Sequence, residues 1–356
     1  MSPHIVSVIM AEKFNGRNHN SYKDLPNPPI DKTGWPWIVD DSKTIPERSS
    51  EKLSWPRITI VTPSFNQGEY IEETIRSVIL QRYPNLEYIV IDGGSSDETV
   101  EILKKYNSWI DLWLSEPDKG QSHAINKGFA LAGGDLLAWI NSDDLLEKNA
   151  LYHVAFAANE NPGAIILGCV LNFNSEKGLS SVLKQKNVTI EYMLKPSDGS
   201  WRWHQPGTFV PASVQQETGP LDENLHHAFD KDWIFRLLQI APVNYLDQIV
   251  ARFRVHPEAK TSAGIDRWIK EIYQVNRRYL MALPATEGKR LKALYYLRIA
   301  GLHLVSHQEY RPFFNHHVGG MMLARARIAE PCVVLQREFF TLLARFLAPR
   351  TLWRSS

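Results

Sequence analysis

The sequence predicts an α/β fold with a mainly parallel sheet covered by helices, and three observations point to it. Short β-branched or leucine-rich runs alternate with amphipathic helical stretches between Arg57 and Ile140. Each run ends in small, polar or acidic residues, as strands do at the carboxyl edge of an open α/β sheet. The chain has 356 residues, 44% of them hydrophobic, enough for one large domain or two.

The elements follow in order. Residues 1–55 are rich in Pro, Asn, Lys and Ser and read as an extension that wraps the surface, pinned by Trp35 and Trp37. "ITIVTPSF" (Ile58 to Phe65) predicts a buried strand. In "EYIEETIRSVILQR", Ile71, Ile75, Val78 and Ile79 share one helical face. "LEYIVIDGG" is a second strand and "DETVEILKKY" a second helix, with Asp97 placed to cap it and Glu98 and Glu101 near its positive end. "IDLWLSE", "SHAINKGFALA" and "DLLAWI" give a third strand, a third helix and a fourth strand. Residues 150 to 255 are less regular. Beyond residue 260 the pattern is helical, in "IDRWIKEIYQVNRRYLMAL", "KALYYLRIAGLHLV" and "PCVVLQREFFTLLARFLAPR". Three segments result: the extension 1–55, an α/β domain 56–260 and a helical region 261–356.

Composition narrows the function. A net charge of +1 gives no case for nucleic-acid binding. Cys169 and Cys332 stand apart in apolar surroundings and read as buried free thiols of a reducing compartment. The N-terminus lacks the basic start and cleavage site of a signal peptide, and no apolar run reaches about 18 residues. The expected location is the cytoplasm, soluble or peripheral on the inner face of the plasma membrane. GxGxxG after the first strand and GxxxxGK[ST] are both absent, which weakens a dinucleotide dehydrogenase and a P-loop enzyme.

Chemistry is expected where the strands end. The first strand delivers Thr62, Pro63, Ser64 and Asn66; the second delivers Asp92, Gly93, Gly94 and Ser95; the fourth delivers Asn141, Ser142, Asp143 and Asp144. The adjacent acids Asp143 and Asp144 suit a hard cation such as Mg²⁺ or Mn²⁺ between protein and phosphate oxygens. On the motif alone they read equally well as a solvated helix cap.

Four segments in register then resemble family 2 glycosyltransferases of the GT-A fold: "ITIVTPSFNQGEYIEETIRSV", "YPNLEYIVIDGGSSDETVEIL", "SEPDKGQSHAINKG" and "LAWINSDD". The resemblance spans most of residues 57 to 256 and implies a mainly parallel Rossmann-like sheet flanked by helices, with a helical C-terminal extension. It implies that Pro63, Ser64 and Asn66 receive the nucleotide base, and that Asp92, Gly93 and Gly94 contact base or ribose. Asp118, Lys119, Gly120 and Asn126 match the segment closing over the nucleoside. Asn141, Ser142, Asp143 and Asp144 match the acidic metal motif, with Asn141 standing where many relatives carry an acid. His256, in "ARFRVHPEAKTS", matches a histidine that completes the metal or phosphate shell. Arg252, Arg254 and Lys260 are candidates to offset diphosphate charge, or plain surface charges. Asp230 of "FDKDW" matches the catalytic base, with Asp232 competing for the role; both also read as helix caps. Trp201, Trp203, His204 and Gln205 are candidates to line the sugar pocket, or packing residues. His123 is either a sugar contact or a cap.

The implied activity is an inverting, metal-dependent transfer of a sugar from a nucleotide-diphosphate donor, a UDP-sugar above all, to an acceptor hydroxyl. The expected acceptor is a glycan or lipid-linked molecule of cell-surface polysaccharide or glycolipid assembly, with peripheral membrane contact through the C-terminal helices. The alternatives are an inactive nucleotide-sugar-binding protein on the same scaffold and a nucleotidyltransferase.

Overall fold

In the computed structural model of the chain, the described residues are 22–38, 55–174, 179–194, 203–256, 265–282 and 316–329, with a few more between 289 and 297 and between 339 and 347. Strand β1 (Ile58–Ser64) is buried along its whole length, as its β-branched residues require. It is followed by α1 (Ile71–Ile79), β2 (Leu86–Asp92), α2 (Thr99–Lys105), β3 (Leu112–Ser115), α3 (Gln121–Leu131) and β4 (Leu136–Trp139). The expected alternation is therefore present. β2 and β4 pair with β1 on opposite sides, and β3 pairs with β2, all in parallel. The chain thus reverses its strand order at β1, and the switch point at which open α/β sheets bind ligands falls between the carboxyl ends of β1 and β4.

The second half of the sheet is mostly antiparallel. It comprises the two-residue β5 (Leu145–Leu146), β6 (Ile165–Asn174), β7 (Leu179–Leu183), β8 (Thr208–Pro211) and β9 (Val243–Arg254). The strand order is β3-β2-β1-β4-β8-β6-β9-β5, with β7 on β6. Among these five strands only β6 and β9 run parallel. Helices α4 (Ala150–Glu160), α6 (Ala212–Thr218) and α7 (Phe229–Ile240) complete this part. The mixed sheet flanked by helices is the fold class expected.

The α1 helix shows how the core positions the site. Ile71, Ile75, Val78 and Ile79 are buried as predicted, but so are Thr74, Arg76, Ser77 and Gln81. Each of these polar groups has partners, as burial demands. Arg76 reaches back to the N-terminal segment: its guanidinium donates to the carbonyls of Pro26 (2.8 Å), Pro36 and Trp37 (both 3.4 Å) and to the Tyr106 hydroxyl (3.1 Å). The Trp37 ring lies 5.3 Å from that guanidinium. Trp35 Nε1 donates to the Leu146 carbonyl at 2.9 Å, so this segment also touches β5. Both tryptophans expected to pin the extension make these contacts. The rest of the extension lies outside the described residues.

The chain divides into two compact units. The first comprises residues 1–186 and 203–263, and contains the whole sheet. The second comprises residues 187–202 and 264–356. Within the second, α5 (Ile190–Leu194) packs on α8 (Ile265–Ala282), which buries Val275 and Leu280. Helix α9 (His316–Ala329) buries Met322, Leu323 and Ala326. It lies inside the helical region expected for 261–356, although Gly319 and Gly320 weaken its pattern and it is not one of the three segments picked out there. Among the described residues no helix is long and apolar enough to cross a membrane. The expected helices after residue 290 fall largely outside the described residues, as does Cys332. Cys169 is a buried free thiol.

Candidate functional site

The carboxyl ends of β1 and β2 are stitched together by short polar loops. Pro63 and Ser64 are buried at the end of β1. Asn66, in the left-handed region at φ 51°, donates its backbone N–H to Ser95 Oγ (2.7 Å) and accepts from the Ser96 N–H (2.9 Å). Asp92 is fully buried. Its Oδ2 accepts from the N–H groups of Gly94 (3.2 Å) and Ser95 (2.9 Å) and from Ser115 Oγ (2.6 Å), while Oδ1 accepts from Ser95 Oγ. Both oxygens thus organise the loop that Gly93 and Gly94 begin. A Cβ on Gly93 would stand 2.9 Å from Asp118 Oδ2, so glycine permits the close approach of that carboxylate.

Asp118 Oδ1 accepts the Gly120 N–H at 2.7 Å. Gly120 has φ 117°, which favours glycine, and turns the chain into α3. Lys119 is exposed, and its N–H donates to His123 Nδ1 at 3.3 Å, the capping alternative for that histidine. Gln121 Nε2 donates to Asn141 Oδ1 at 2.8 Å, tying the start of α3 to the acidic turn. Asn126 points its amide at the segment before α7. It donates to the Leu221 carbonyl (3.0 Å) and Glu223 (3.1 Å), and accepts from the Leu221 N–H (2.8 Å).

The acidic turn leads into β5 rather than a helix, so the helix-cap alternative does not apply. Its two carboxylates have different surroundings. Asp144 is buried, with Oδ1 accepting the Arg254 N–H (2.9 Å) and Oδ2 accepting from Asn141 Nδ2 (3.1 Å). Burial and then the Asp143 charge push its carboxyl well above the usual carboxylate range, against the pull of those two bonds and of the Arg254 charge. Asp143 Oδ2 instead lies 3.1 Å from His256 Nε2. The Thr74 hydroxyl meets the carbonyls of Ser142 (2.9 Å) and Asp144 (2.7 Å) and holds the turn from below. Antiparallel pairing of Leu145 with Arg252 and Leu146 with Ala251 brings the end of β9 beside the turn.

Asp143 and His256 thus lie 3.1 Å apart, while the two oxygens of Asp144 accept from the Arg254 N–H and from Asn141 Nδ2. Among the described residues no group of three or more His, Cys, Asp or Glu side chains is arranged to hold a metal ion. The Asp143–His256 pair offers one carboxylate and one imidazole. That donor set fits a hard cation that takes most of its shell from diphosphate oxygens and water.

Asp230 and Asp232 both lie in the first turn of α7. Asp232 is buried and bound to Arg236 Nε at 2.9 Å, an i,i+4 ion pair. Asp230 is half-buried, its Oδ1 accepting the Lys231 N–H at 2.7 Å. The neighbouring Phe229 packs on Trp139, ring centroids 6.4 Å apart, which seats the start of α7 against the end of β4. Trp139 and Trp233, at 4.6 Å, extend that seat.

Trp203, His204 and Gln205 take the packing alternative. Trp203 Nε1 donates to Thr208 Oγ1 (3.0 Å), the His204 ring lies 4.9 Å from that of Phe253, and Gln205 Nε2 donates to the Trp139 carbonyl (2.9 Å). All three are buried. Burial lowers the His204 pKa to about 4. Trp201 and Lys260 lie outside the described residues. Arg252 is engaged by both oxygens of Glu147, at 2.7 and 3.0 Å.

Residues 59–214 match the family model described as "Glycosyl transferase family 2". This segment is a family 2 glycosyltransferase domain. Similar proteins are described as glycosyltransferases. An uncharacterized glycosyltransferase of Rickettsia typhi is 26% identical over 218 residues, covering 60% of this chain and 68% of that one. Another, of Mycobacterium tuberculosis, is 44% identical over 92 residues, covering 26% of this chain and 35% of that one. Among solved structures, S. aureus TarS 1–349 in complex with UDP-GlcNAc superposes with a TM-score of 0.59 at 17% identity. That match covers 82% of this chain and 88% of TarS 1–349. The glycosyltransferase domain thus has the GT-A fold, with the acidic turn at the end of β4.

The residues that hold this turn are not singled out by motif. Thr74 and Ser77 carry the one legible signal, polar side chains among the apolar positions of α1.

Proposed function

We propose that this chain is an inverting, cation-dependent glycosyltransferase moving a sugar from a UDP-sugar to an acceptor hydroxyl. The observation that carries the reading is the meeting of Asp143 and His256, 3.1 Å apart, just after β4, one of the two strands between which the strand order reverses. TarS, of like fold, binds UDP-GlcNAc, which supports a UDP-sugar here. Pro63, Ser64, Asn66 and the Asp92–Gly94 loop line the nucleoside side in this reading. Asp118, Lys119 and Gly120 face them, and Asn126 and Ser142 support the walls through their backbone and amide bonds.

Asp143 and His256 would hold Mn²⁺ or Mg²⁺, which would offset the charge on the leaving diphosphate. Asp230 takes the proton from the acceptor hydroxyl, and that oxygen bonds to the anomeric carbon as the bond to the diphosphate oxygen breaks. Attack from the face opposite the leaving group inverts the configuration. Asp230 is preferred to Asp232 because the latter is neutralised by Arg236 and buried. The acceptor is a glycan or lipid-linked molecule of surface polysaccharide or glycolipid assembly, met at the inner face of the plasma membrane.

A thermal-shift panel of nucleotide sugars, with and without Mn²⁺, tests donor and cation together. Stabilisation by a UDP-sugar that grows with Mn²⁺ is the expected result. Stabilisation only by nucleoside triphosphates, with pyrophosphate released in turnover, would replace this reading by nucleotidyl transfer.

A further inference from the structure

Arg254 has the charge of a diphosphate ligand, but its surroundings assign it other work. The side chain is only 6% exposed. Its Nη2 pairs with Glu73 at 2.8 Å, and its Nε donates to the Asp143 carbonyl at 2.8 Å. The guanidinium lies over two rings, 5.1 Å from the Tyr70 centroid and 4.6 Å from that of Phe173. The backbone N–H of the same residue donates to Asp144 Oδ1 at 2.9 Å.

One residue therefore grips both members of the acidic turn, one through its backbone and one through its side chain. It also stands two positions before His256, on the same run of chain. Tyr70 joins the two, since its ring lies 4.9 Å from the His256 ring and also faces Arg254. Val255 N–H donates to the Phe173 carbonyl at 2.8 Å and fixes the link between them. A planar guanidinium with several fixed donors suits this bracing, and the compact ammonium of lysine does not reproduce it.

We infer that Arg254, held by Glu73, is a positioning residue that sets the Asp143–His256 pair, and that it does not bind the diphosphate. The inference rests on the cation reading proposed above. Groups that orient metal ligands affect metal affinity by about tenfold to a hundredfold when lost.

The test is UDP binding by calorimetry to the full chain, with and without Mn²⁺, for wild type, R254K and E73Q. Thermal unfolding of each variant confirms that it is folded. A positioning role predicts that both variants keep metal-free UDP affinity and lose the Mn²⁺-linked gain, by about tenfold or more. The two readings of Arg254 part at Glu73. Removing a carboxylate that merely neutralises a phosphate ligand frees that ligand and tightens UDP binding. Removing one that braces the cation pair weakens the Mn²⁺-linked gain. Tighter UDP binding by E73Q, or an equal loss by R254K with and without Mn²⁺, overturns the positioning role. A Mn²⁺-linked wild type whose variants retain that linkage also overturns it and leaves the cation reading standing. Wild-type UDP binding that Mn²⁺ leaves unchanged overturns the cation reading and the positioning role together.

Discussion

At α7, two carboxylates two residues apart meet different fates, and the difference is testable. Asp230→Asn is expected to leave UDP-sugar binding unchanged and to lower kcat by about 10²- to 10⁴-fold, as loss of a general base does. Normal turnover by that variant would move the base elsewhere. Thr74 offers a second test. Thr74→Val leaves the Ser142 and Asp144 carbonyls without their buried donor and is expected to destabilise the fold by about 1–3 kcal/mol in urea titrations. Thr74→Ser should recover most of that. His204 supplies a pH dependence. Its folded pKa of about 4 lies below the ordinary 6.5, so the unfolded chain takes up the proton first. Stability is therefore full above the unfolded value and falls as the pH drops from about 6.5 toward 4, by on the order of 3 kcal/mol. Urea midpoints measured between pH 7 and pH 5 should show this slope, and His204→Phe should flatten it. Much of the residue-scale detail was not legible in the sequence. "NSDD" presents two like acids, and only the turn geometry reveals that Asp144 faces Arg254 while Asp143 faces His256. The same holds for Asp92, whose oxygens are spent on Gly94, Ser95 and Ser115.

Elements were more legible than side chains. The strands and helices from Ile58 to Trp139 follow from alternation and helical period, because a parallel sheet buried on both faces leaves apolar runs with sharp ends. The pairings of β5 to β9 did not, because they depend on contacts between residues far apart in sequence. The α1 helix illustrates how one element serves two ends. Its Arg76 holds the N-terminal segment, while its Thr74 and Ser77 hold the acidic turn and β5. A chain beginning at Trp55 strips Arg76 of the carbonyls of Pro26, Pro36 and Trp37. Its thermal midpoint should fall below that of the full chain. Arg76→Met should be destabilising in the full chain and nearly neutral or stabilising in the shortened one, because an apolar side chain needs no partners. Equal effects in both backgrounds would show that the segment does not satisfy Arg76.

At the scale of the whole molecule, residues 187–202 belong to the second unit, where α5 packs on α8. A chain ending at residue 263 would therefore bare Val188 and Leu194, both buried in the full chain. Limited proteolysis should then cut between residues 187 and 194 faster than in the full chain. The net charge of +1 also hides a local bias, since α9 exposes Met321 and Ile328 beside Arg325 and Arg327. If these groups meet an anionic bilayer, as the proposed lipid-linked acceptor suggests, Arg325→Glu with Arg327→Glu should reduce flotation with phosphatidylglycerol vesicles. Unchanged flotation would remove α9 as a contact. The pairing of β5 with β9 has one more consequence, in the order of synthesis. Asp143 emerges from the ribosome more than a hundred residues before its imidazole partner, and β6, β8 and β9 must be laid down before the two can meet. A nascent chain is thus unable to bring Asp143 and His256 together until these strands are in place, so the proposed cation site comes into being only in a folded domain.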